Sequence, residues 1–367
     1  MKNLLAMVLA IALVLLCVGC GNGDANKDPK KDGEETKEIV YLCRVLGDFG
    51  FNDNGWLGCQ NAAAKYGYKA NVIELGDDTA TFENAFLEAC DSGKYSVIVT
   101  QNGSSLGEFV RANASSYPEI KFIVFDMGLT EDENLPENVY GISYRACDAT
   151  FLTGALAAKI SKSGKVGILS NDNPGGNDFA VGFLSGAKYV NPDCKVYYYY
   201  GMADAAAWQE QAATLFSEGC DVIQCASGRF GLGVFNEATK RGGLESGLVC
   251  FGIDTDMYYS LTKSESAEMA NVVVTSATKN LAATIESAFD KMENGTLNWG
   301  KKEIAGVAEG GVGLAINEHY SEIVDADTQA YMQSLIEDMK SGKVKSQSGY
   351  DFASQEELLA WIQPQLG

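Results

Sequence analysis

The sequence predicts an α/β protein with two doubly wound lobes. Short apolar runs alternate with segments of helical period from Glu38 onward, the pattern of buried parallel strands covered by helices on both faces. At 367 residues the chain exceeds what one hydrophobic core comfortably organises. Its 40 glycines against 6 prolines fit many tight strand-to-helix turns.

Taken in order, the expected strands are Ile39–Leu46, Lys69–Glu74, Tyr95–Thr100, Lys121–Phe125 and Val139–Ile142, then Lys165–Leu169, Lys195–Tyr200, Val222–Cys225, Leu248–Ile253 and Ala270–Ser276. Helical spacing is clearest over Gly55–Tyr66, Thr81–Asp91, Phe151–Ile160, Ala205–Ser217 and Lys279–Glu293. The first βαβ series closes near Tyr140–Ser143. A helix rich in small residues, Phe151–Ala158, leads to a second series opening at Gly164–Leu169.

Ahead of the body, Leu4–Val18 is an apolar run behind the cationic Met1-Lys2, too short to span a ~30 Å hydrocarbon core as a helix. It reads as the core of a signal peptide over residues 1–19. Cys17-Val18-Gly19-Cys20-Gly21 resembles a bacterial lipobox with Cys20 as the lipidated thiol, although Cys17 stands where leucine is usual. Residues 20–37 are almost without apolar side chains and read as a solvated tether. These features place the body at the outer face of the cell membrane, held by an N-terminal lipid.

A net charge of −21 argues against nucleic-acid partners, which need clustered Lys and Arg to displace counterions. Of ten cysteines, two are Cys17 and Cys20; Cys43, Cys59, Cys90, Cys147, Cys194, Cys220, Cys225 and Cys250 have no metal-ligand spacing, and most are expected to be buried thiols. With His319 as the single histidine, neither structural zinc nor any other metal or cofactor is expected. His319 itself reads as a surface turn.

In open α/β sheets ligands bind beyond the carboxyl ends of the strands. Those ends offer Asp48, Phe51, Asn52 and Trp56; Gln101, Asn102 and Ser104; Asp126; Asn171 and Phe179; Met202 and Asp204; Ser227 and Gly228; and Asp254 with Asp256. Carboxylates accept both hydrogens of a vicinal diol, amides match the edges of flat heterocycles, and aromatic faces stack on them. The set suits a nucleoside better than a nucleotide, because no phosphate-cradling loop or Arg cluster accompanies it. Each member also has a plainer role: an Asp after a strand is often a helix cap, and Phe51, Trp56 and Phe179 could be core. The spacing of Asp254 and Asp256 lacks the Gly and distal Glu of a calcium loop.

Several motifs together resemble the basic membrane protein family of bacterial ABC-transporter substrate-binding lipoproteins, best known for purine nucleoside receptors. They are Asp48-Phe49-Gly50-Phe51-Asn52 with Trp56, Phe125-Asp126, Phe151-Leu152-Thr153-Gly154, Gly252-Ile253-Asp254-Thr255-Asp256 and Thr275-Ser276-Ala277-Thr278-Lys279. The resemblance runs from about Glu38 to about Asn317. It implies a type I periplasmic-binding fold with three crossovers, dividing the body into 38–146 plus 277–296 and 147–276 plus 297–367. It also implies that Asp48 and Asn52 contact a base, that Asp126 and Asp254 hold polar groups including ribose hydroxyls, that Phe179 stacks, and that Lys279 reaches the cleft. Gly50 replaces the family's usual serine, and an aromatic common near Met202 is absent.

The function so implied is capture of a nucleoside, expected to be a purine, and its delivery to an ABC permease, without catalysis. Other readings stay open: the same fold serving a flavin or a sugar, or sensing a ligand rather than transporting it. Two carboxylates across a cleft could also hydrolyse a glycosidic bond, which keeps an enzyme as a further alternative.

Overall fold

A computed structural model describes residues 37–130, 134–200 and 204–367; Cys20, the leader and tether (residues 1–36), and Met202 lie outside them. The strands are β1 (Glu38–Cys43), β2 (Lys69–Glu74), β3 (Val97–Gln101), β4 (Lys121–Met127), β5 (Val139–Tyr144), β6 (Lys165–Ser170), β7 (Lys195–Tyr200), β8 (Val222–Ala226), β9 (Val249–Asp254), β10 (Val273–Lys279), β11 (Lys301–Ala305) and β12 (Val312–Leu314). They form two six-stranded sheets, ordered β11-β5-β4-β3-β1-β2 and β12-β10-β9-β8-β6-β7. Every pairing is parallel except that of β12 with β10. This is the two-lobed parallel α/β architecture that the alternating apolar runs imply.

Burial explains those runs. Residues Ile39 to Cys43 of β1 are fully buried, because helices cover both faces of a parallel sheet and leave no solvated side that would call for alternation. The chain passes between sheets after Tyr144, after Lys279 and between Ala305 and Val312. These crossings are tied to one another: the Arg145 amide donates to the Ala305 carbonyl (3.1 Å) and the Asn280 amide to the Gly311 carbonyl (2.9 Å). The three connections are therefore joined to one another by backbone hydrogen bonds.

The helix Ala146–Ile160 packs on Pro174–Val190 at a spacing that only small residues permit. A Cβ on Gly154 would overlap the backbone of Phe183, and one on Gly186 the backbone of Phe151. Substitution at either would push the helix pair apart.

Two expectations need correction. Residues 297–367 do not all belong with the second sheet: β11, Lys-Lys-Glu-Ile-Ala, pairs in parallel with β5 from Lys301 opposite Tyr140 to Ala305 opposite Tyr144. It is a charged edge strand, so it carries no apolar run to betray it. His319 is not in a surface turn; it is buried in the short helix Glu318–Ile323, its Nε2 2.9 Å from the Asn271 carbonyl and its ring stacked on Tyr258. The eight cysteines of the body are buried free thiols, several with burial raising the thiol pKa to about 12. Among the described residues no group of His, Cys, Asp and Glu is placed to hold a metal.

Candidate ligand cleft

The cleft begins at the end of β1. Cys43 closes the strand, and the chain then turns through Gly47 (φ 81°) and Phe49 (φ 57°) into the helix Phe51–Tyr66. Asp48 holds this turn together. Its Oδ1 accepts from the amides of Gly50 (3.1 Å) and Asp53 (3.2 Å), and its Oδ2 from the amide and the side-chain Nδ2 of Asn52 (both 2.9 Å). Burial raises the carboxyl's pKa against the lowering effect of those amides. Asp48 thus does the work of a helix cap, satisfying the first free N–H groups.

An ionised carboxylate only accepts, so Asp48 fixes the Asn52 amide with its NH₂ toward the carboxylate and its Oδ1 on the far side. That Oδ1 is buried and has no hydrogen-bond partner in the protein.

Across the gap, β9 ends at Asp254, which is 9% exposed and holds a left-handed backbone (φ 64°). Its Oδ1 is likewise buried and unpartnered. Burial raises its pKa to about 6, opposed by Lys279 and reinforced by Asp126 and Asp48. Phe49, Ser104, Ser105, Asp126 and Asp254 are the non-glycine residues with positive φ among those described, and all sit at carboxyl ends of strands or in the turns just beyond. Such backbone costs about 1–3 kcal/mol each and gathers at functional sites.

Asn52, Asp254 and parts of Asp48 line one cavity of about 290 Å³ with Arg44, Leu46, Gly47, Phe51, Asp77, Asn171, Ser227, Gly228 and Phe230. Residues of both sheets contribute, so the cavity is the cleft between the lobes. The lobes touch around it. The Thr255 hydroxyl donates to the Phe49 carbonyl (2.8 Å), and a Cβ on Gly228 would come 3.3 Å from the Asp48 carbonyl.

Behind Phe51 lies a charged cluster. The Lys279 ammonium, 7% exposed, pairs with Asp126 across the lobes at 2.7 Å and sits 5.0 Å from the Phe179 ring centre, 5.6 Å from Phe51 and 5.9 Å from Tyr144. Burial disfavours its charge, yet Asp126, Asp254 and Asp178 hold its pKa above the ordinary value.

Of the residues singled out in the sequence, Asp48, Phe51, Asn52, Gly228 and Asp254 line the cavity, and Asp126, Phe179 and Lys279 form the cluster behind it. Trp56 stacks on Tyr41 at the core, centroids 6.4 Å apart. Asp256 caps the helix Met257–Thr262 by accepting from the Tyr259 amide (3.2 Å) and takes both contacts of the Asn317 side-chain amide (2.9 Å each). Ser104 lies in a left-handed turn ahead of the helix Leu106–Asn113 and outside the cavity wall. Arg44, Asp77 and Phe230 are additions. Arg44 escaped notice because β1 was expected to run to Leu46; the strand stops at Cys43, which turns the arginine toward the cleft.

A family model described as Bmp, ABC transporter substrate-binding protein PnrA-like, matches residues 39–347. The chain belongs to this family. Among Bmp relatives, the ABC transporter nucleoside-binding protein BmpA of Lactococcus lactis is 27% identical over 90% of this chain and 96% of its own length. Basic membrane protein A of Borreliella afzelii is 32% identical over 77% of this chain and 83% of that protein. An ABC transporter system solute-binding protein from Aeropyrum pernix K1 shares the fold, with a TM-score of 0.74 at 20% identity over 90% of this chain and 97% of that one. The Bmp chain is therefore a substrate-binding protein of an ABC transporter, and its two lobes have the type I periplasmic-binding arrangement.

Proposed function

We propose that this Bmp protein captures a nucleoside between its lobes outside the cytoplasmic membrane and presents it to an ABC permease, tethered by a lipid on Cys20. The observation that carries the reading is that Asn52 and Asp254, one from each lobe, line one cavity and each has a buried Oδ1 without a hydrogen-bond partner. A buried acceptor left unpaired costs about 1–3 kcal/mol, so the site calls for a guest that donates hydrogens on two sides. A nucleoside does so with ring or amine N–H groups and with sugar hydroxyls, while Phe51 and Phe230 supply apolar faces. The name of the Lactococcus relative points the same way.

Asp48 is committed to its own turn, Asp126 to Lys279 and His319 to the Asn271 carbonyl, so among the described residues these groups are not set as a nucleophile paired with a base. Closure follows from contacts that exist only when the lobes meet: a ligand touching both Asn52 and Asp254 binds the closed form better, and that difference drives the population shift.

Isothermal titration of the full chain with purine and pyrimidine nucleosides, against ribose and riboflavin, tests the assignment. Saturable heats are expected with nucleosides. Binding of ribose or riboflavin in their place would transfer the protein to a sugar or flavin class.

A further inference from the structure

The segment that follows the helix Ala326–Lys340 returns to the crossings between the lobes. Its fixed end is Ser348-Gly349. Asp178, 1% exposed in the helix Pro174–Val190, accepts at Oδ1 from the Ser348 hydroxyl (2.5 Å) and the Gly349 amide (2.9 Å), and at Oδ2 from the Cys147 amide (2.9 Å). A Cβ on Gly349 would stand 2.8 Å from the Asp178 nitrogen, so the segment lies flush on that helix.

The other end is Ser346, buried, whose hydroxyl donates to Asp148 Oδ1 at 2.5 Å. Asp148 stands in the first turn of the helix Ala146–Ile160 and also meets the first and third crossings. Arg145 Nε donates to its Oδ1 (3.3 Å), and the Val307 amide to its Oδ2 (3.4 Å). Arg145 Nη2 donates in turn to the carbonyl and hydroxyl oxygens of Ser346 (3.4 Å each). One buried carboxylate thus gathers two crossings and the C-terminal segment. Its bond to Ser346 is short, whereas those to the crossings are long for N–H···O contacts, so a small displacement of either crossing breaks them.

We infer that Asp148 is a positioning residue for ligand capture: held by Ser346, it accepts from the first and third crossings in the closed arrangement of the lobes alone, and so favours closure. The lobes are closed here, since the Thr255 hydroxyl of one donates to the Phe49 carbonyl of the other (2.8 Å). The crossings are the segments whose backbone must turn when the lobes part. Contacts made in one state alone shift the population toward it. Asp148 is outside the cavity wall, so it acts on affinity through closure. The inference goes beyond the nucleoside reading and does not depend on which solute binds.

The test compares full-length wild type, Ser346→Ala, Asp148→Asn and the double variant with guanosine, or with ribose or riboflavin where calorimetry finds one of those bound in its place. Each single variant should bind roughly 10-fold more weakly, through faster dissociation in stopped-flow fluorescence with association within about twofold. The ligand-free chain, in which the lobes part and these bonds are already broken, should melt near the wild-type temperature. The double variant should lose no more than the larger single loss, as two ends of one bond do. In the wild type, bound ligand should slow hydrogen exchange at the Val307 amide. Unchanged dissociation in the folded variants, or a lower melting temperature without loss of affinity, would overturn the inference. So would exchange at Val307 that ignores the ligand, a reading that needs no variant and decides the matter even if both substitutions prevent folding. Binding of ribose or riboflavin in place of every nucleoside would sink the nucleoside assignment, while the closure test is decided on that solute.

Discussion

The turn after β1 and the turn after β9 face each other from opposite lobes, each built around an aspartate, yet the two carboxylates are spent differently. Asp48 takes four hydrogen bonds from its own turn and orients the Asn52 side chain. Asp254, which lines the cavity, leaves its buried Oδ1 unpartnered and has a left-handed backbone. The first lobe spends its carboxylate on a preformed turn, and the second leaves a carboxylate oxygen without a hydrogen bond. Stability and binding should therefore separate between the two turns.

The largest expected effect falls on the group between them. Lys279→Met removes the ammonium that Asp126 contacts and that opposes Asp254 and Asp178, and should cost about 3–5 kcal/mol in denaturant unfolding, the range for stranding a buried charge. A loss below about 1 kcal/mol would mean that the acids tolerate one another.

Next comes the comparison itself. Asp48→Ala should destabilise the fold by about 2–3 kcal/mol and also abolish the orientation of Asn52, so stability and affinity drop together. Asp254→Gly should do the reverse in part. Relief of the left-handed strain raises stability by about 1 kcal/mol, while ligand affinity falls by about 1.5–3 kcal/mol. Paired calorimetric melts and titrations read both quantities, and parallel losses in the two variants would erase the distinction.

Acidity sharpens it further. Asp254 has a folded pKa of about 6, above the unfolded carboxyl at ~3.9, so between those values the folded form holds a proton that the unfolded form has lost. Its contribution to stability is therefore present at acid pH and is lost as pH rises through about 6. Affinity for a ligand that donates to the carboxylate moves the other way, weakening as pH falls through that value. Subtracting the Asp254→Gly profile from the wild type isolates both trends. The smallest effect is assigned to Asp256→Ala, about 1 kcal/mol for loss of a helix cap, with nucleoside affinity unchanged.

Much of this fold was legible because parallel strands buried on both faces announce themselves as apolar runs. Ten of the strands stand within a few residues of where those runs lie. The remaining two, β11 and β12, are an edge strand of charged residues and a three-residue pairing, and neither buries enough to leave a pattern. The site was half legible. That acids, amides and rings gather beyond strand ends follows from topology, but which acid is free does not. Asp254 and Asp256 differ by two positions; one enters the cleft, and the other is consumed by Asn317 and its own helix, a contact with a residue far along the chain. Arg44 was hidden by a strand that ends three residues earlier than its hydrophobicity indicates.

Asp126 on β4 and Asp254 on β9 occupy the third place in their respective sheets and share the same positive φ, 60° and 64°. The two sheets thus repeat one strand order, with an aspartate of left-handed backbone at the same place in each. Lys279 pairs with Asp126 at 2.7 Å, while Asp254 Oδ1 has no hydrogen bond, so matching places in the two sheets carry unlike carboxylates.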